Sequence, residues 1–182
     1  MINRILTYFS DRLEDFFGGI FKQAEGIVRL GNIGLGDKLE INNKLVISLL
    51  SIERDTAQGI TGKYVRNNVD SFNYNLPAVN VNLNVIFAAV YDNKRYSESL
   101  SIISACIMFL QSNPIIELAN SQSYTIEFMN LSTQELNNIW TSLGGCYYPS
   151  VVCKIRKLVF DAEEIKNILP SAGEPQIDAK KM

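Results

Sequence analysis

Ile2, Ile5, Leu6, Phe9, Leu13, Phe16 and Phe17 recur at the spacing of one helix face, with Arg4, Asp11, Arg12, Glu14 and Asp15 largely opposite. The pattern predicts an amphipathic helix over residues 2–18. Gly18-Gly19 should end it, because glycine accepts the left-handed conformation of a helix C-terminus. Its polar face has too few Lys and Arg for a membrane-surface helix, so the stripe should pack on the domain's own sheet. Ile27 to Leu30 read as a short strand. Gly31 to Asp37 resemble a phosphate-cradling loop, but the next apolar run, Asn43 to Glu53, is a strand pattern. A nucleotide loop should open into a helix whose N-terminal amides meet the phosphate, so nucleotide binding is disfavoured.

Residues 54–76 are polar and predict an exposed loop, part of it a hairpin around Lys63 to Val69. The clearest strand follows. In Val79-Asn80-Val81-Asn82-Leu83-Asn84-Val85, apolar and Asn side chains alternate with period two. The Asn face is read as a wet outer face or as a polar interface. From Ile86 to Val90 the run is apolar on both faces, the signature of a central strand covered on both sides. A second helix is predicted over 95–112. Its stripe is Leu100, Ile103, Ile107 and Leu110, widened by Ile102, Cys106 and Phe109, and Asn113-Pro114 stops it. Tyr124 to Leu131 alternate as a strand with Tyr124, Ile126 and Phe128 on one face.

Ser132 and Glu135 form a capping-box signature, and the helix it opens carries Leu136, Ile139, Trp140 and Leu143 before Gly144-Gly145. Pro149 starts a long strand, Ser150 to Phe160, with Lys154 and Arg156 on one face and Lys157 on the other. Residues 162–169 suggest one or two turns with Ile165, Ile168 and Leu169 as apolar points. Residues 170–182 read as a tail. The order of elements implies an α+β fold: a mixed, largely antiparallel sheet with helices packed on it. One domain is expected over 1–161, with 162–182 as a C-terminal extension.

Composition narrows the chemistry. The chain has 182 residues, enough for a sizeable core without disulfide or metal staples. Seventeen Lys and Arg against nineteen Asp and Glu leave a net charge of -2, which argues against a protein whose main task is neutralising nucleic-acid phosphates. The sequence contains no histidine. That removes Ser-His-Asp and Cys-His catalysis and every imidazole metal site. Cys106, Cys146 and Cys153 match no zinc spacing and read as reduced thiols of a protein made and kept inside the cell. No run approaches the roughly 18 apolar residues of a membrane span. The acidic residues Glu53, Asp55, Glu127, Glu163 and Glu164 are scattered. Cys146 beside Tyr147 and Tyr148 lacks a base in sight. No cofactor, metal or small-molecule substrate is expected.

The stretch Asn130-Leu131-Ser132-Thr133-Gln134-Glu135-Leu136-Asn137-Asn138-Ile139-Trp140-Thr141-Ser142-Leu143-Gly144-Gly145, leading through Tyr147 to Pro149-Ser150-Val151-Val152 and Lys154-Ile155-Arg156, resembles the N-terminal domain of tail terminator, or cap, proteins of contractile injection systems. The opening helix, Asn43 to Leu49, and the Pro77–Ala89 strand followed by the Tyr96–Leu110 helix occur in the same order. The resemblance implies a structural protein that forms a hexameric ring on the distal end of an inner tube and ends its growth. Its expected partners are the tube protein, the sheath protein and a second cap paralogue, in a bacterial phage tail-like particle assembled in the cytoplasm. A baseplate or sheath-associated adaptor of the same particle is the leading alternative. A small cytosolic enzyme using Cys146 or a carboxylate is the other. Exposure and polarity nominate Lys63, Tyr64, Arg66, Asn80, Asn82, Asn84, Lys154 and Arg156, with the tail after Pro170, as contact residues. Ser132, Glu135, Trp140, Leu143, Gly144, Gly145 and Pro149 are expected to form the fold instead.

Overall fold

A computed structural model describes residues 1–21, 26–34, 41–55, 63–68, 71–75, 78–118 and 122–160. The elements are α1 (Ile2–Phe21), β1 (Val28–Leu30), β2 (Lys44–Arg54), β3 (Lys63–Asn68), β4 (Ser71–Asn75), β5 (Val79–Val90), a 3-10 turn at Asn93–Arg95, α2 (Tyr96–Ser112), β6 (Ile115–Leu118), β7 (Gln122–Phe128), α3 (Thr133–Ser142) and β8 (Ser150–Phe160). Six strands form one sheet in the order β1-β2-β5-β8-β7-β6. Only β1 and β2 run parallel; the other neighbours are antiparallel. The mixed, largely antiparallel α+β architecture is the one the sequence pattern implies.

β5 lies inside the sheet, and period two splits its side chains between two cores. Val81, Leu83, Val85, Phe87 and Ala89 join the core beneath α1 and α2. Phe9 of α1 meets Phe87 of β5 edge-on at 5.8 Å, and Phe16 of α1 meets Phe109 of α2 at 5.4 Å, so aromatic contacts tie α1 to the sheet and α2 to α1. Ile86, Ala88 and Val90 join Trp140 of α3, Val46 and Val152 in a smaller core on the other face. Both faces are therefore covered at the Ile86–Val90 end, as its unbroken apolar run requires.

Local chemistry sets the α3 boundaries. The Ser132 hydroxyl accepts from Glu135 N, and the Glu135 carboxylate accepts from Ser132 N at 2.8 Å. The Ser132 hydroxyl also donates to that carboxylate at 2.7 Å, and this bond, followed by the one from Ser132 N, holds the Glu135 carboxyl below its ordinary range. Past the helix, Gly144 and Gly145 take φ values of 105° and 77°, a left-handed path that L side chains resist. It returns Gly145 N to Trp140 O at 2.8 Å and lays Tyr147 and Tyr148 against the indole, each 5.8 Å away.

Several details differ from the sequence expectations. α1 does not stop at Gly18-Gly19 but runs on to Phe21. The Phe17 and Phe21 rings meet at 5.8 Å, one helical turn apart, and this contact outweighs the weak helix propensity of two glycines. In α2 the buried residues include Ile102, Ile103, Cys106, Phe109 and Leu110, while Leu100 and Ile107 of the predicted stripe point outward. β6 was not anticipated, and β7 ends at Phe128, short of Leu131. The predicted hairpin exists as β3 and β4, which pair with each other in a separate two-stranded sheet. The turns and tail expected over 162–182 lie outside the described residues.

One tertiary tie comes from a residue that reads only as part of a polar helix face. The Glu14 carboxylate of α1 accepts three successive backbone amides at the entry to β1: Gly26, Ile27 at 3.0 Å and Val28 at 2.6 Å. This edge strand is thereby tied to the helix that covers the sheet.

Candidate functional site

Two register shifts build a polar patch on the face that α3 shares. β2 shifts between Leu49 and Ser51, so that Ser51 opposes Asn84 and Glu53 opposes Asn82. β8 shifts opposite Asn82, where Lys157 takes a left-handed φ of 71°. Lys154 then opposes both Asn84 of β5 and Glu127 of β7, and Arg156 opposes Thr125. Opposed residues share a sheet face. Asn80, Asn82, Asn84, Lys154 and Arg156, nominated from two separate strands, therefore lie on the same face.

Lys154 Nζ meets Glu53 Oε2 at 2.7 Å, an ion pair that spans β5. Arg156 Nε donates to Glu127 at 2.8 Å. Asn84 Nδ2 donates to Ser51 Oγ at 2.9 Å and also to Glu53. The Asn face is not the wet surface its polarity suggests. Asn82 and Asn84 are each only 6% exposed, and the Glu53 side chain that bonds Asn84 is itself paired with Lys154 across β5. The Oδ1 atoms of both are buried without a hydrogen-bond partner among the described residues.

The Lys154 ammonium, and then the Asn84 amide, hold the Glu53 carboxyl below its ordinary value of 4.5. A lowered carboxyl stabilises the fold above the unfolded-state value, and that contribution is lost as pH falls through the lowered one. Glu53→Gln should therefore cost about 0.5–1 kcal/mol at pH 7, the range of a partly exposed pair. The difference from the parent should fade below 4.5. Urea unfolding of both proteins at neutral and acidic pH measures it; an unchanged gap in acid would contradict the assignment.

The remaining nominated residues separate from this patch. Lys63, Tyr64 and Arg66 lie in β3, opposite Asn75, Tyr74 and Phe72 of β4, and their hairpin pairs with no strand of the six-stranded sheet. Cys106 and Cys153 are buried, and burial raises both thiols, Cys153 to about 12. Cys146 is exposed and lines a cavity of about 190 Å³ with Asp92 and Tyr148. Burial pushes the Tyr148 phenol up, away from service as a base at neutral pH. Among the described residues, no three His, Cys, Asp or Glu side chains gather as a metal site, and no helix is long and apolar enough to cross a membrane.

Two surface features were missed in the sequence. Tyr96, Leu100, Ile107 and Met108 form an exposed apolar row on the outer side of α2, Met108 being 59% exposed. A cavity of about 330 Å³ opens where α3 meets the polar patch. The row was hidden because α2 is apolar on both sides, so its periodicity does not say which side is covered.

This sheet-and-helix arrangement matches two solved structures. One is the cryo-EM structure of the anti-feeding prophage cap, an AFP tube-terminating cap, with 18% identity over 76% of this chain and 48% of that chain and a TM-score of 0.50. The other is the PVC sheath/tube terminator of an extracellular contractile injection system in its extended state, with 15% identity over 85% of this chain and 56% of that chain and a TM-score of 0.56. The domain thus has a fold found in tube terminators, and the chain spans about half the length of these two proteins. Residues 21–171 match the Pvc16 N-terminal domain, and the chain belongs to that family. No curated protein matches it in sequence.

Proposed function

We propose that the chain is a structural cap, a tail tube/sheath terminator of a contractile injection system. In this reading copies form a hexameric ring on the distal end of the inner tube and end its growth. The tube protein, the sheath protein and a second cap paralogue are its partners, and the bacterial particle is assembled in the cytoplasm. The observation that carries the reading is family membership across most of the chain together with a fold shared with two terminators. The relatives are described as a cap and a terminator, and the role needs contact area rather than a reaction.

The physics is that of a chain stopper. Head-to-tail stacking of identical rings continues without limit unless a subunit matches the last ring on one face and offers no matching face beyond it. The apolar row on α2 is suited to a subunit contact, since clustered exposed apolar side chains mark interaction surfaces.

Particles made without this chain should show a broad spread of tube lengths and bare distal ends in electron micrographs. Normal lengths with missing baseplates would instead make it an adaptor. Leu100→Lys with Met108→Lys should leave the circular dichroism and melting curve nearly unchanged, because both residues are exposed. The same pair should abolish incorporation at the tube end. Wild-type incorporation would exclude this helix face from the contact.

A further inference from the structure

The six-stranded sheet ends in two different edges, β1 and β6, and they are closed differently. At β1, Ile27 O accepts from Leu45 N and Gly31 N donates to Ile47 O, so these residues turn their backbone groups toward β2. Val28, one residue along from Ile27, turns its N–H outward. That outward N–H is taken by the Glu14 carboxylate at 2.6 Å, a local cap on an exposed edge. At β6, Ile126 N donates to Pro114 O at 2.9 Å. Bonded and non-bonded pairs alternate along an antiparallel ladder. Ile116–Tyr124 is therefore a bonded pair, and Ile115–Thr125 and Glu117–Ser123 are not. The N–H and C=O groups of Ile115 and Glu117 thus point away from β7, to a side where no strand lies among the described residues. The side chain of Ile115 is 59% exposed. Glu117 is exposed too, and has no ion-pair partner among the described residues.

α2 overhangs the same edge. Its Phe109 turns toward Phe16 of α1, and α1 is tied to β1 at the far edge of the sheet. Ile107, two residues earlier, lies about 200° around the helix from Phe109. Tyr96, Leu100 and Ile107 recur at helical spacing as one exposed stripe, so the stripe occupies the flank away from α1 and toward β6. Ile116 of β6 is buried in the core beneath α2. No charged residue occurs from Ser99 to Ile116.

We propose that β6 takes up an extended segment of another protein chain as an added strand. The segment's backbone pairs with the outward groups of Ile115 and Glu117. Its alternate apolar side chains enter beneath the Tyr96, Leu100 and Ile107 stripe, on the face of Ile116. A Lys or Arg on its other face meets Glu117. An extended chain fits because it presents free N–H and C=O groups at the ladder spacing, whereas a helix satisfies its own. The β1 edge of a second copy fits poorly, since Glu14 already holds its outward N–H.

Peptide binding to the isolated full chain tests strand addition separately from any role in particles. The probe is a random linear peptide library selected on the parent chain. Enriched peptides should carry apolar residues at alternate positions with Lys or Arg between them. Their binding should slow amide exchange at Ile115 and Glu117 at least about tenfold and leave Ile116, already bonded to β7, unchanged. Glu117→Pro removes an N–H that β7 does not use, a position where edge strands tolerate proline. It should weaken the same peptides at least about tenfold while keeping the parent's circular dichroism. Glu117→Lys keeps the N–H and should weaken them several-fold through charge alone. A library without binders, or peptides that bind Glu117→Pro as tightly as the parent, would overturn the proposal. So would a parent dimer that Glu117→Pro dissociates, which assigns the edge to a second copy.

Discussion

Trp140→Ala should destabilise the protein by about 3–5 kcal/mol, the usual cost of removing a buried aromatic side chain. In a chain of this size that lowers the melting temperature on the order of 10 °C. The indole is 3% exposed and is central to the smaller core, touching the Tyr147 and Tyr148 rings and joining Val46, Ile86 and Val152 beneath α3. Without it, α3 loses its one fully buried anchor. Trp140→Phe should recover most of the loss, because the indole Nε1 has no hydrogen-bond partner among the described residues, leaving volume as the main contribution. Thermal and urea unfolding of the three proteins measure it. A change within about 0.5 kcal/mol for the alanine variant, as at a surface site, would mean that α3 is not docked on the sheet.

Glu14→Ala should cost about 2–4 kcal/mol, because one carboxylate accepts three backbone amides at the start of β1 and bonds to a charged acceptor are the stronger kind. Glu14→Gln should lose much of the same energy, since the amide nitrogen that replaces one oxygen faces an N–H and cannot accept from it. Hydrogen exchange at Ile27 and Val28 should accelerate in both variants before the rest of the sheet is affected. Unchanged exchange at those two amides would rule out the tie between α1 and β1.

These residues also show what is legible along a chain. Trp140 is readable in the sequence because its surroundings are local: a capping box eight residues before it, helical spacing through Leu136 and Leu143, and a glycine pair after it. Glu14 is not readable, since its partners lie twelve to fourteen residues away and are backbone amides, which leave no mark on composition. The Asn80-Asn82-Asn84 alternation correctly puts three amides on one face, but strand period says nothing about what lies above that face. Glu53, which bonds Asn84, pairs with Lys154 across a separation of 101 residues that two register shifts bring together.

By itself, the sequence determined most of the elements though not β6, the central covered strand, the α3 cap and the exclusion of histidine chemistry, because periodicity, capping and composition are properties of neighbouring residues. Only the tertiary structure decided that α1 continues through its glycines, that α2 leaves Leu100 and Ile107 outside, and that polar residues of β2, β5, β7 and β8 share one patch beside an apolar cavity. Those outcomes depend on which strands pair and where their registers slip, and the partners that set them are distant along the chain.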